Sequence, residues 1–152
     1  MENPMEANGH IFITGVIYQS MKGIINDHFD KKRVLDQLIE NYVKKDFCFF
    51  DGLKRRNLLW CHFLKKNDKS FPTEELANIK LPKDHDVFFY SERVEELYKT
   101  NFGEICEYVM QLEPWEEIDA EIFDESMKWV IVITHEDISL IFGLDELERI
   151  RN

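Results

Sequence analysis

The 152-residue sequence contains no C-x-x-C pair, no glycine-rich phosphate loop, no nucleophile elbow and no apolar run of membrane-spanning length. Each absence removes a class of protein. Its cysteines, Cys48, Cys61 and Cys106, are widely spaced and odd in number. That excludes zinc-finger spacing and argues for reduced thiols in a cytoplasmic protein, packed as small hydrophobes. Without a Gly-rich loop or a G-x-S-x-G elbow, neither nucleotide-phosphate binding nor α/β-hydrolase chemistry is expected. No apolar run approaches the ~20 residues that a membrane-spanning helix needs. The chain starts with Glu2 and Glu6 rather than a basic segment, so a secretory leader is not expected. No repeat, low-complexity tract or Gly/Ser linker divides it. A single α+β domain over residues 1–152 follows, with residues 1–9 as a loose arm.

Basic residues are scarce in one half only. Net charge is −11, yet residues 1–71 carry 12 Lys/Arg against 9 Asp/Glu, whereas residues 72–152 carry 7 against 21. The acidity belongs to the second half. Glu113, Glu116, Glu117, Asp119, Glu121, Asp124 and Glu125 form a run with no base inside it. Such a field repels nucleic-acid phosphates and anionic membranes, and it speeds encounter with basic partners. The plainer alternative is an acidic face that keeps the protein dispersed. Lys54-Arg55-Arg56 is too short for a nucleic-acid footprint in so acidic a chain.

The strongest structural signal is Phe123–Phe142. Over Lys128–Thr134, Trp129, Ile131 and Ile133 alternate with Val130, Val132 and Thr134, giving two apolar faces and so a central strand. Upstream, Ile118, Ala120 and Ile122 alternate with Asp119, Glu121 and Phe123, which predicts a half-buried strand with one wet face. Asp124–Ser126 and Thr134–Asp137 read as turns. Ile138, Leu140 and Phe142 form a third strand ending at Gly143, completing an antiparallel meander. Val87–Tyr90 supplies a fourth strand.

Helices are expected after Asp30, which caps a stripe of Val34, Leu35, Leu38, Ile39, Tyr42 and Val43; over Glu74–Asn78; from a Ser91 cap through Leu112, interrupted at Asn101–Glu104 by capping-box spacing; and over Leu144–Arg151. His10–Ile25 fits either helix or strand, and Leu58–Leu64 likewise. Lys65–Ser70 reads as a polar loop. The fold class is α+β, an antiparallel sheet of about four strands packed with several helices.

Three clusters carry potential chemistry. The first is the acidic run with Trp115, and with Trp129 flanking it; exposed aromatics ringed by acids suit docking of a basic partner. The candidate partner-binding set is Glu113, Trp115, Glu116, Glu117, Asp119, Glu121, Asp124 and Glu125. The second is His135-Glu136-Asp137, where a histidine beside two acids is an alternative metal site or general base for a small hydrolase. It lacks H-E-x-x-H spacing, and a polar hairpin turn explains the same residues. The third comprises His62 beside Cys61 and His85 between Asp84 and Asp86, more simply core and loop histidines than a nucleophile pair or a metal site.

The segment Asp124–Trp129, followed by Trp129–Asp137 and an apolar strand ending at Gly143, resembles small bacterial domains of the immunity-protein type from toxin systems. The resemblance covers about a third of the chain. It implies a sheet-plus-helices fold and supplies no catalytic residues. Together these readings describe a non-catalytic acidic protein that engages a basic protein partner, such as a toxin, without cofactor, direct nucleic-acid contact or membrane. Self-association through the aromatics is a further option.

Overall fold

A computed structural model of the chain describes residues 29–43, 50–51, 54–55 and 58–150. The arm at 1–9, the two-way segment 10–25 and the apolar residues 47–49 lie outside the described residues. Strands β3 (Lys69–Pro72), β4 (Asp86–Ser91), β5 (Glu96–Asn101), β6 (Ala120–Phe123), β7 (Val130–Ile133) and β8 (Ile138–Phe142) form one antiparallel sheet in the order β3-β8-β7-β6-β4-β5. A short pair, β1 (Phe50–Asp51) and β2 (Lys54–Arg55), stands apart from it. The class is the one expected from sequence, with six strands in the main sheet rather than about four.

The meander is as the alternation predicts, with β6, β7 and β8 adjacent and antiparallel. Strand β7 is central and buried on both faces. Its residues divide between two cores. Ile131 and Ile133 join Val87, Phe89, Ile122 and Trp129 on one side; Val130 and Val132 join Phe88, Tyr90, Phe123 and Phe142 on the other. Burying a side chain of this size contributes about 1.5–3 kcal/mol, so a strand with two apolar faces belongs in the middle of the sheet.

Helices cover both faces. Helix α1 (Lys31–Tyr42) starts where Asp30 accepts a hydrogen bond from the Arg33 amide, and it buries Val34 and Leu38 in the second core. The 3-10 turn Leu59–His62 packs beside it, tied to the sheet by the Leu59 amide, which donates to the buried Glu92 carboxylate at 2.7 Å. On the first face lie the 3-10 turn Thr73–Asn78, helix α2 (Phe102–Met110) and helix α3 (Leu144–Glu148). Gly143 adopts φ +80°, and Asp68 caps α3 by accepting from the Gly143 and Leu144 amides at 2.9 Å.

Three expectations need correction. Residues 92–101 are not helix: a turn through Glu95 leads into β5, and the helix begins only at Phe102. Asn101 does cap it, accepting from the Glu104 amide at 2.9 Å. Lys69 and Ser70, read as the end of a polar loop over Lys65–Ser70, belong to the edge strand β3, which pairs with β8. Strand β6 has no wet face; all four of its residues are buried, Glu121 included. By register Glu121 lies between Tyr90 and Val132, on the α1 side of the sheet.

Candidate functional site

The acidic run divides into a surface part and a buried part. Helix α2 ends at Met110 with Gln111 as its C-cap, and Pro114 cannot extend it. The chain then turns on itself: the Glu116 amide donates to the Glu113 carbonyl at 2.9 Å, and the Glu113 amide donates to Glu116 Oε1 at 3.0 Å. This reciprocal pair shapes a loop that thrusts Trp115 outward, 76% exposed. Val94 lines the same hollow as Trp115, whereas Met110, 74% exposed, lines a second hollow. Glu113 and Glu117 are exposed around Trp115 and Glu116 is half-buried.

Asp119 anchors the loop from below. Its carboxylate is fully buried, which sequence alternation cannot show. Oδ1 accepts from the His135 amide at 3.1 Å and from His135 Nδ1 at 3.0 Å; Oδ2 accepts from Arg93 Nε at 3.1 Å. Arg93 also donates through a second nitrogen to Glu117 Oε1 at 3.3 Å. The hydrogen bond and the charge of Asp119 raise the His135 pKa above the ordinary histidine value. Thus Asp119 joins the β4–β5 turn, the 113–117 loop and the β7–β8 turn at one end of the sheet.

Two hollows flank this loop and share Glu116, Glu117 and Ile118. One, of about 360 Å³, has Phe89, Tyr98, Tyr108 and Trp115 in its wall together with Arg93. The other, of about 590 Å³, reaches to Thr73, Glu113 and His135. The Tyr108 hydroxyl is pushed up to about 12, by burial first and then by the charge of Glu116.

The remaining members of the expected set do not join this surface. Glu121 is fully buried. Asp124 is buried at the other end of β6, about 17 Å from Asp119 for an extended strand. There it accepts from Trp129 Nε1 at 3.1 Å, lies 2.9 Å from His85 Nε2 and accepts from Ser126. Trp129 is therefore core, not a flank of the acidic surface. Glu125 is exposed, but at that far end.

The His135-Glu136-Asp137 cluster is a hairpin turn. Asp137 adopts φ +64°, its amide returns to the Thr134 carbonyl at 3.3 Å, and the Glu136 amide meets Thr134 Oγ1 at 3.3 Å. His135 is turned toward Asp119, while Glu136 and Asp137 are exposed. Among the described residues, no group of three or more His, Cys, Asp or Glu is placed to hold a metal ion. No described helix is long and apolar enough to cross a membrane.

Sequence reasoning missed Arg93, Phe89, Tyr98 and Tyr108. They come from other elements: Phe89 from β4, Arg93 from the β4–β5 turn, Tyr98 from β5 and Tyr108 from α2. No protein-family model, curated protein or solved structure matches this chain.

Proposed function

We propose that this is a non-catalytic binding protein whose Glu113–Glu117 loop docks a basic macromolecular partner. The observation that carries the reading is Trp115: a large aromatic held 76% exposed by a hydrogen-bonded loop and edged by Glu113, Glu116 and Glu117. Aromatic anchors with a charged rim are the usual composition of binding hot spots, and the acidic surround steers a basic partner into register. The acidic surface is smaller than the full 113–125 run, because Asp119, Glu121 and Asp124 are interior. The resemblance of the C-terminal third to immunity-type domains makes a basic toxin domain the partner class we place first, with the complex forming in the cytoplasm.

Calorimetric titration with a synthetic Arg/Lys-rich peptide, against a Glu/Asp-rich control, tests the reading. Binding of the basic peptide alone is expected, weakening as salt shortens the Debye length from about 30 Å at 0.01 M to about 8 Å at 0.15 M. Equal binding of both peptides, or indifference to salt, would overturn it.

A further inference from the structure

We infer that the 590 Å³ hollow on the His135 side of the 113–117 loop receives a large apolar side chain of the partner, flanked in the partner by lysine or arginine. This rests on the docking function proposed above and extends it from charge to a motif. The volume lies within the range of small-ligand sites, about 300–1,000 Å³. Its apolar lining is open to solvent: Val109, Leu112 and Ile118 are half-buried, and Met110 and Pro114 are exposed. Covering that surface is what an apolar side chain would gain by docking. Hydrogen bonds hold the walls in place. The Thr73 amide donates to the Asp137 carbonyl at 3.0 Å, joining the 3-10 turn to the β7–β8 turn, and the Thr73 hydroxyl lies 2.8 Å from that of Ser139. The loop has its own reciprocal pair, and Asp119 holds the His135 amide. A hollow braced in this way is formed before the partner arrives, which lowers the ordering cost of binding.

The charges select what flanks that side chain. Several carboxylates here are already engaged. Glu117 is paired with Arg93, Asp119 holds both Arg93 and His135, and Glu116 accepts from the Glu113 amide. Three others line the hollow. Glu74, Glu113 and Asp137 are exposed, and none of their carboxylates is in a hydrogen bond or ion pair with a described residue. They come from the 3-10 turn, the loop and the β7–β8 turn, so three separate segments bring negative charge to one apolar hollow. No lysine or arginine is among its described lining residues. An anion, or an anionic membrane surface, would be repelled. A second copy docked here about a two-fold axis would set the same three carboxylates against themselves. A basic segment with an apolar centre matches both the lining and its charge.

The test uses the whole chain and short peptides on one Gly/Ser background. The first has a central leucine between lysine pairs, the second has serine in place of the leucine, and the third has serines in place of the lysines. The leucine–lysine peptide is expected to bind roughly tenfold more tightly than the serine-centred one, and roughly tenfold more tightly than the lysine-free one. Met110→Gln, at an exposed helix end, should cost the leucine–lysine peptide about threefold and the serine-centred one nothing measurable. Glu113→Gln and Asp137→Asn should each cost both lysine peptides about twofold; asparagine is tolerated at the positive φ of Asp137. In methyl NMR the leucine–lysine peptide should shift the Met110 and Leu112 signals, and the serine-centred peptide should shift them far less. Equal binding of the leucine- and serine-centred peptides, with Met110→Gln silent and Trp115→Ala costing both, overturns the apolar receptor and leaves docking at Trp115 intact. A lysine-free peptide that binds as tightly as the leucine–lysine one overturns the basic flanks, and the docking function with them. Absence of binding by all three overturns both.

Discussion

Replacing Asp119 by asparagine probes the clamp beneath the 113–117 loop. The change is isosteric, so packing around a fully buried side chain is kept. The charge is lost, and with it one of two acceptor oxygens: an amide nitrogen must face either Arg93 Nε or the His135 donors, now 3.0–3.1 Å away. Hydrogen bonds to a charged group contribute about 1.5–3 kcal/mol each, and breaking a buried pair costs about 3–5 kcal/mol. The His135 and Arg93 side chains are 36% and 45% exposed, so water compensates them in part. The expected net loss is about 2–4 kcal/mol. At about 2–4 °C per kcal/mol for a chain of this size, Tm should fall by roughly 5–15 °C. Urea unfolding measures it directly, as a shift in midpoint with the slope unchanged. Glu125→Gln, at an exposed site, should stay within about 0.5 kcal/mol. An Asp119→Asn protein as stable as Glu125→Gln would refute the clamp.

The His135 imidazole should titrate above the ordinary value of 6.5 when followed by NMR, and return toward it in Asp119→Asn. Because the folded-state pKa is the higher one, the contact adds stability that is complete below pH 6.5 and fades as pH rises through the raised value; an unraised His135 would contradict the geometry. Gly143→Ala should be strongly destabilising, by about 2–4 kcal/mol in a urea titration. Its φ is +80° and a Cβ would stand 2.2 Å from the Lys128 carbonyl oxygen; a loss near zero would mean that this turn is not formed. The buried Cys106 thiol, pushed up to about 11 by burial, should resist alkylation at neutral pH until the protein unfolds, while the exposed Cys61 reacts first.

What could be read from the chain was local. Strand β7 announces itself because both its faces are apolar, and α1 because Asp30 precedes a regular stripe. Strand β5 was hidden for a physical reason. Leu97 and Tyr98 are neighbours that enter opposite cores in a strand, yet with Val94 they also satisfy helical spacing. Strand β3 shows only Phe71 to the interior, so its neighbours read as loop. The buried state of Asp119 depends on Arg93 and His135, distant in sequence, and no alternation rule reveals it. The surface half of the site was legible because Glu113, Trp115, Glu116 and Glu117 fall within one short loop, residues 113–117. Its aromatic wall was not, because Phe89, Tyr98 and Tyr108 arrive from three other elements.

Tryptophan emission during titration with the Arg/Lys-rich peptide tests the docking surface most directly. Trp129 is fully buried and Trp60 half-buried, so Trp115 dominates the solvent-exposed signal. The difference spectrum between the native protein and Trp115→Phe should shift to shorter wavelength on binding and revert when salt is added. Binding that leaves the Trp115 component unchanged would place the partner elsewhere on the molecule and contradict the assignment of this loop.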